Sequence, residues 1–242
     1  TTPRGDAAIQ VSGFDQGSYD VQGPIGTVAI TGVTIAGDYD KSLIMIQGYE
    51  DLNGLSFSNV ELSGTPFWGQ FVFVDPIGSS GQDAPANPGY PGNFPTTHAG
   101  LANGVDFSGI TITSAAERVG VNIRGTDGDD NITGTEGNDV LNALAETDVD
   151  FGGDDVLTGL GGDDIAHIGA GNDSFDGGAG NDLAVSALAR GAAEIAKNPD
   201  GSYSVTDTGT GDSDLLTDVE GILFSDGITY ELDVNSPDYS GA

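Results

Sequence analysis

The chain has no cysteine, one methionine, one tryptophan and only six lysine and arginine residues in 242. Without cysteine, no disulfide and no thiolate metal site is available. Against the few basic residues stand 38 aspartates and glutamates, for a formal net charge of −32. That balance excludes nucleic acid and anionic membrane surfaces as partners. It also implies self-repulsion that bound cations would relieve. No apolar run approaches the roughly eighteen residues needed to span a bilayer, so no membrane insertion is expected. Hydrophobic residues make up only 37% while glycines number 40, which points to a thin, elongated core. The chain opens at Thr1 with no initiator methionine and no signal peptide. The expectation is a processed or excised piece of a longer product.

What is present is order. From Gly125 to Val185 a nine-residue unit occurs six times, interrupted once: GTDGDDNIT, GTEGNDVLN, then DFGGDDVLT, GLGGDDIAH, IGAGNDSFD and GGAGNDLAV. The sixth position is always aspartate: Asp130, Asp139, Asp155, Asp164, Asp173 and Asp182. The fourth is always glycine: Gly128, Gly137, Gly153, Gly162, Gly171 and Gly180. Composition alone would not hold Gly and Asp in that phase, which argues against a disordered acidic linker. Glycine permits the tight turns that side chains forbid. The two or three residues after each Asp suit a short strand with one apolar side chain facing inward. Two such half-turns make one coil of a flattened solenoid. Residues eighteen apart then stack, Asp155 over Asp173 and Asp164 over Asp182. Stacked carboxylates repel unless a cation sits between them. Calcium suits such a site because it takes six to eight hard oxygen ligands, backbone carbonyls included.

This segment resembles the RTX, or hemolysin-type, calcium-binding repeats. The resemblance covers about a quarter of the chain. It implies a β-roll with several Ca2+ ions between successive turns, and export through a type I secretion channel. The sequence departs from the pattern between Ala143 and Val149, where sixteen residues rather than nine separate Asp139 from Asp155. Asp148 falls at the expected nine but lacks its glycines. Position eight is alanine at Ala166 and Ala184, and those two turns are expected to pack less well.

A second, longer repeat precedes the first. TVAITGVTIAG (27–37), GLSFSNVELSG (54–64) and GVDFSGITITS (104–114) superpose their apolar residues. The matched sets are Val28/Leu55/Val105, Ile30/Phe57/Phe107, Val33/Val60/Ile110 and Ile35/Leu62/Ile112. The same offsets of 27 and 50 align Ile44/Phe71/Val121 and Ile46/Phe73/Ile123. Two strand sets sharing one pair of offsets favour a parallel β-helix over an antiparallel sandwich. One further rung from Val105 reaches Ile132, the inward residue of the first nonapeptide unit. The β-helix is therefore expected to run directly into the β-roll.

The expected organisation is a leading segment (1–25), β-helix rungs (26–124) with an inserted Pro-rich loop (75–103), the β-roll (125–185), and a β cap with tail (186–242). The fold expectation is all-β: a right-handed parallel β-helix/β-roll solenoid with a C-terminal β-hairpin cap. The cap is read from hairpins around Pro199-Asp200-Gly201 and Asp226-Gly227, with a short helix or irregular turn at 186–192. The inserted loop holds Tyr90, Phe94 and His98, with Trp68 just upstream. These four are candidates for contact with a partner or a sugar; equally, the aromatics could bury themselves against the helix side. Arg4-Gly5-Asp6 spells an integrin-type tripeptide, too short a match to carry weight.

Some parallel β-helices act on polysaccharides, and some alginate epimerases join such a domain to RTX modules. The chemistry needs an acid, a base and a carboxylate neutraliser on one face. Lys41, Arg118 and Arg124 are the only basic side chains in the solenoid region, and His167 reads as a solvated position-nine residue. The reading therefore leans away from an enzyme. It favours a secreted, calcium-dependent structural or adhesive protein of the bacterial surface or matrix, folding on calcium and assembling head-to-tail into a filament or array. A carbohydrate-active module, either a uronate-polymer lyase or epimerase or a sugar binder, is the alternative.

Overall fold

The structure, a computed structural model, describes residues 8–12, 28–39, 43–47, 52–63, 65–66, 70–75, 102–113, 119–123, 125–126, 128–142 and 152–232. Among them there is no α-helix; a single 3-10 turn covers Arg190–Ala192. Everything else regular is strand, as the alternation of apolar and small polar residues requires.

The strands form two nine-stranded sheets and three smaller ones among the described residues. One large sheet runs Ile9–Ser12, Ile44–Gln47, Gln70–Asp75, Val119–Ile123, Val140–Leu141, Ile165–Ile168, Leu183–Ser186, Gly221–Phe224, Thr229–Glu231. The other runs Val28–Thr31, Leu55–Ser58, Val105–Asp106, Asn131–Thr133, Val156–Gly161, Ser174–Ala179, Ser213–Thr217, Tyr203–Asp207, Ala193–Lys197. A third, of Thr34–Ile35, Val60–Leu62 and Ile110–Ile112, accompanies the earlier part of the chain. Every pairing among the described residues is parallel except the three C-terminal ones: Ala193–Lys197 with Tyr203–Asp207, Tyr203–Asp207 with Ser213–Thr217, and Gly221–Phe224 with Thr229–Glu231.

The registers agree with most of the aligned repeat. Val28 pairs with Leu55, Ile30 with Phe57, Ile110 with Val60, and Val105 with Ile132. The ladder therefore passes from the longer repeat into the nonapeptides without a break. The Phe57 and Phe107 rings stack with centroids 5.3 Å apart, as their shared offset predicts. One set needs correction. Ile44 pairs with Val72 and Ile46 with Val74, and these pair on to Val121 and Ile123; Phe71 and Phe73 are not the register partners. Thr65–Pro66 still keeps the 27-residue offset from Asp38–Tyr39. The one-residue slip thus falls between Pro66 and Val72. In QFVFVD both alternating sets are apolar, so the pattern could not choose between them.

The core is a continuous line of side chains. In the roll, Ile132, Leu157, Phe175 and Leu216 lie in successive strands of one sheet, and Leu141, Ala166, Ala184 and Ile222 in the other. All eight are at most 1% exposed. The alanine turns do not leave the face open: Ile168, two residues past Ala166 on the same face, is buried as well. Burial of each large apolar side chain contributes about 1.5–3 kcal/mol, so this row is a main source of stability.

Both expected C-terminal hairpins form. Ala193–Lys197 pairs antiparallel with Tyr203–Asp207, and Gly221–Phe224 with Thr229–Glu231. The strand Ser213–Thr217 was not foreseen. It continues the parallel ladder beyond Ser174–Ala179, and Gly221–Phe224 does the same beyond Leu183–Ser186. One further turn of the roll is thus made from sequence that no longer reads as a repeat.

Candidate metal centre

Each nonapeptide turn places its sixth-position Asp just before a strand, facing inward, and the parallel registers stack these residues. The stacking is fixed by hydrogen bonds from backbone to side chain. The Asp130 amide donates to Asp155 Oδ1 (2.8 Å), the Asp155 amide to Asp173 Oδ1 (2.9 Å), and the Asp173 amide to Asp214 Oδ1 (3.1 Å). On the opposite side the Asp139 amide donates to Asp164 Oδ1 (2.7 Å), the Asp164 amide to Asp182 Oδ1 (2.8 Å), and the Asp182 amide to Glu220 Oε2 (2.7 Å). Two columns of four carboxylates result, and all eight residues are buried. Asp214 and Glu220 were missed from the sequence. Their signal was faint: Asp214 precedes Leu215-Leu216 and Glu220 precedes Gly221-Ile222, with the glycine spacing before the acid lost.

The interruption between Asn142 and Gly152 does not break either column, because Asp130 reaches Asp155, and Asp139 reaches Asp164, across 25 residues instead of 18. The fifth position builds a second, exposed row. The Asp154 amide donates to Asp129, the Asn172 amide to Asp154, the Asp163 amide to Asn138, and the Asn181 amide to Asp163, all within 3.0 Å. This explains why position five holds only Asp or Asn: either offers a short side-chain oxygen to the next turn.

From Gly153 onward the fourth-position glycines are required by close approach and positive φ, whereas a Cβ on Gly137 would make only ordinary contacts. Gly171 has φ +128° and Gly180 φ +149°; a Cβ there would collide with the carbonyl oxygens of Gly153 and Gly162, one turn earlier. The first position is similar. A Cβ on Gly177 would meet Asp182 Oδ2 at 2.6 Å and would collide with the Asp218 carbonyl; one on Gly159 would meet the Gly177 carbonyl at 2.6 Å and would collide with Asp164 Oδ2. Each glycine thus bounds a cradle formed by one carboxylate oxygen and one carbonyl oxygen.

The outer oxygens of the column differ. Among the described residues, Asp164 Oδ2 and Asp182 Oδ2 are buried with no hydrogen-bond partner. A buried acceptor without a donor costs roughly 1–3 kcal/mol, more if charged. Burial, joined by the neighbouring carboxylates, pushes Asp164 up to about 9 and Asp155 up to about 8. Burial likewise raises Asp139, Asp182 and Asp214 to about 7. A buried anion without a donor is the electrostatic complement of a hard dication, and carbonyl oxygens beside it fit calcium better than a smaller, more rigidly octahedral ion. The donor set is therefore all-oxygen and suits calcium. Among the described residues no three His, Cys, Asp or Glu side chains converge on one point, so any ion here draws on backbone carbonyls as well.

His167 is half-buried rather than solvated, and its buried Nδ1 has no partner among the described residues; burial pushes its pKa down to about 4, so it is neutral. The other basic candidates, Lys41, Arg118 and Arg124, lie outside the described residues, as do Arg4-Gly5-Asp6, Asp148, Trp68, Tyr90, Phe94 and His98. Among the described residues no helix is long and apolar enough to cross a membrane.

Parallel short strands, glycine turns and two acidic columns define a calcium-binding repeat of the nonapeptide class. Residues 122–149 and 151–184 each match the family model described as RTX calcium-binding nonapeptide repeat (4 copies), and the chain carries that repeat. Such repeats bind calcium, and proteins that carry them are typically secreted. The match covers about a quarter of the chain. No curated protein matches the chain.

Proposed function

We propose that this is a secreted calcium-binding structural or adhesive protein, built as one right-handed solenoid that passes from β-helix (26–124) to β-roll (125–185) and is capped by its C-terminal hairpins (186–242). Asp130, Asp139, Asp155, Asp164, Asp173 and Asp182, with the carbonyls of the glycine turns that include Gly128, Gly137, Gly153, Gly162, Gly171 and Gly180, build the two acidic columns within which calcium binds. The observation that carries this reading is that Asp164 Oδ2 and Asp182 Oδ2 are buried with no donor among the described residues, each flanking, with a carbonyl oxygen of the following turn, the space beside Gly159 or Gly177. In a low-calcium interior the charge of −32 opposes compaction. Outside, calcium binds the folded state and stabilises it by mass action.

Assembly into a filament or array would use the N-terminal edges, Ile9–Ser12 and Val28–Thr31, which end their sheets. The other end, which a head-to-tail contact would meet, carries antiparallel hairpins whose outer strands hold Glu194, Lys197 and Glu231, so the N-terminal edge would dock on a charged rim.

The test is a calcium titration of the full chain followed by far-ultraviolet circular dichroism and light scattering, with magnesium as control. A calcium-specific gain of β signal is expected, with scattering that grows with protein concentration. Equal structure in chelator and in calcium would remove metal-driven folding, and a strictly monomeric species at millimolar calcium would remove assembly.

A further inference from the structure

The columns are chemically uneven, and the second residue of each turn makes them so. In the first two turns that residue is threonine. The Thr135 amide donates to Asp139 Oδ2 at 2.6 Å, and its hydroxyl reaches both Asp139 oxygens at 3.1 Å. The Val121 amide adds a donor to Oδ1 at 2.7 Å. Thr126 treats Asp130 in the same way, with amide and hydroxyl at 2.9 and 2.8 Å. Neither threonine has a positive φ.

The later turns of the Asp139 column differ. Their second residues, Leu160 and Gly178, have φ +81° and +93°. A β-branched residue resists that conformation, and even leucine there is strained. No donor from the described residues reaches Asp164 Oδ2 or Asp182 Oδ2.

The three cradles of this column share one plan. A Cβ on Gly134, Gly159 or Gly177 would press on the Asp oxygen of its own turn and on a carbonyl of the next: Gly159, Gly177 and Asp218 respectively. In the last cradle a residue outside the matched repeats takes the glycine place. Asp218 reaches it with φ +48°.

We infer that, in the Asp139 column, the second residue of each turn decides whether its cradle takes calcium: Thr135 closes the Asp139 cradle with its own donors, the Asp164 and Asp182 cradles bind one calcium each, and the Asp218 carbonyl completes the last. The inference rests on the calcium reading above and adds which turns are metal sites and where the row ends. By the same logic Thr126 closes Asp130.

The test is calcium stoichiometry on the full chain, by equilibrium dialysis with elemental analysis, with circular dichroism as the control for folding. Asp164→Asn and Asp182→Asn are each expected to lose one ion, and Asp139→Asn none. Thr135→Gly admits a positive φ and removes the hydroxyl; it is expected to gain one ion. Should Asp139→Asn fail to fold, Thr135→Gly alone decides the matter. A loss of one ion in a folded Asp139→Asn, or no gain in Thr135→Gly, overturns the assignment while leaving calcium binding intact. No calcium bound by the unaltered chain would instead overturn the functional reading itself.

Discussion

The backbone amide of Asp182 donates to Glu220 Oε2 at 2.7 Å, so a glutamate beyond the repeats fills the next place in a column of aspartates. Its counterpart, Asp214, does the same for Asp173. The acidic columns therefore end on residues of the C-terminal strands. This ties the cap-like hairpins to the roll through backbone groups that would otherwise be buried without acceptors.

Removing either terminal carboxylate should loosen that junction. Glu220→Ala leaves the Asp182 amide without this acceptor and should cost about 1–3 kcal/mol. Asp214→Ala should cost a similar amount. Glu220→Gln keeps an oxygen at the same reach and should cost less. Thermal melts in excess calcium measure this; an unchanged midpoint in both alanine variants would show that the bonds contribute nothing.

Glycine at position four of the later turns should tolerate no side chain. Gly171→Ala and Gly180→Ala each combine a positive φ with a Cβ driven into a carbonyl of the previous turn. The backbone strain alone costs on the order of 1–3 kcal/mol, and the collision adds to it. Gly191→Ala, where a Cβ would meet nothing within 4 Å, is the matched control and should be near neutral. Chemical denaturation of the three variants side by side distinguishes them.

Much of this was legible in the sequence because glycine and aspartate leave a phase that composition cannot imitate. The nonapeptide column and the Val28, Leu55, Val105, Ile132 ladder follow from spacing alone. The register of Phe71 and Val72 did not, since apolar residues at both parities give no preferred face. Asp214 and Glu220 were hidden for a different reason. They reach the columns through stacking after the turn glycines have gone, and position five reads as a loose Asp/Asn preference although Asp129, Asn138, Asp154, Asp163 and Asn172 each accept an amide from the next turn.

The Phe57 and Phe107 pair lies in the rungs that precede the acidic columns. Phe57→Ala removes a ring buried in the core and stacked on Phe107, and should cost about 3–5 kcal/mol. If the earlier rungs fold with the roll as one unit, this variant should raise the calcium concentration needed for folding. If they fold separately, the calcium midpoint should stay put while a second transition weakens. Calcium titration of the variant monitored by circular dichroism separates the two outcomes.

The pH dependence of the metal-free chain should run opposite to that of ordinary salt-bridged proteins. Asp139, Asp155, Asp164, Asp182 and Asp214 are raised by burial to between about 7 and about 9. Unfolded, a carboxyl of this kind titrates near 3.9. Between those limits the folded chain holds more protons than the unfolded one, so stability contributed by these groups is full below about 4 and is lost as pH rises through 7 to 9. His167 acts the other way: pushed down to about 4, it favours the unfolded chain progressively as pH falls below about 6.5, and offsets part of the gain. Five carboxyls against one imidazole leave the net sign with the carboxyls. With calcium the order reverses, because the ion needs the deprotonated form and its apparent affinity rises with pH. Thermal melts of demetallated protein at about pH 5.5 and about pH 8.5, repeated with millimolar calcium, test both halves. The expected result is a higher midpoint at the lower pH without metal and at the higher pH with it. A metal-free chain more stable at pH 8.5 would mean that the carboxylates are solvated and the columns do not form before calcium arrives.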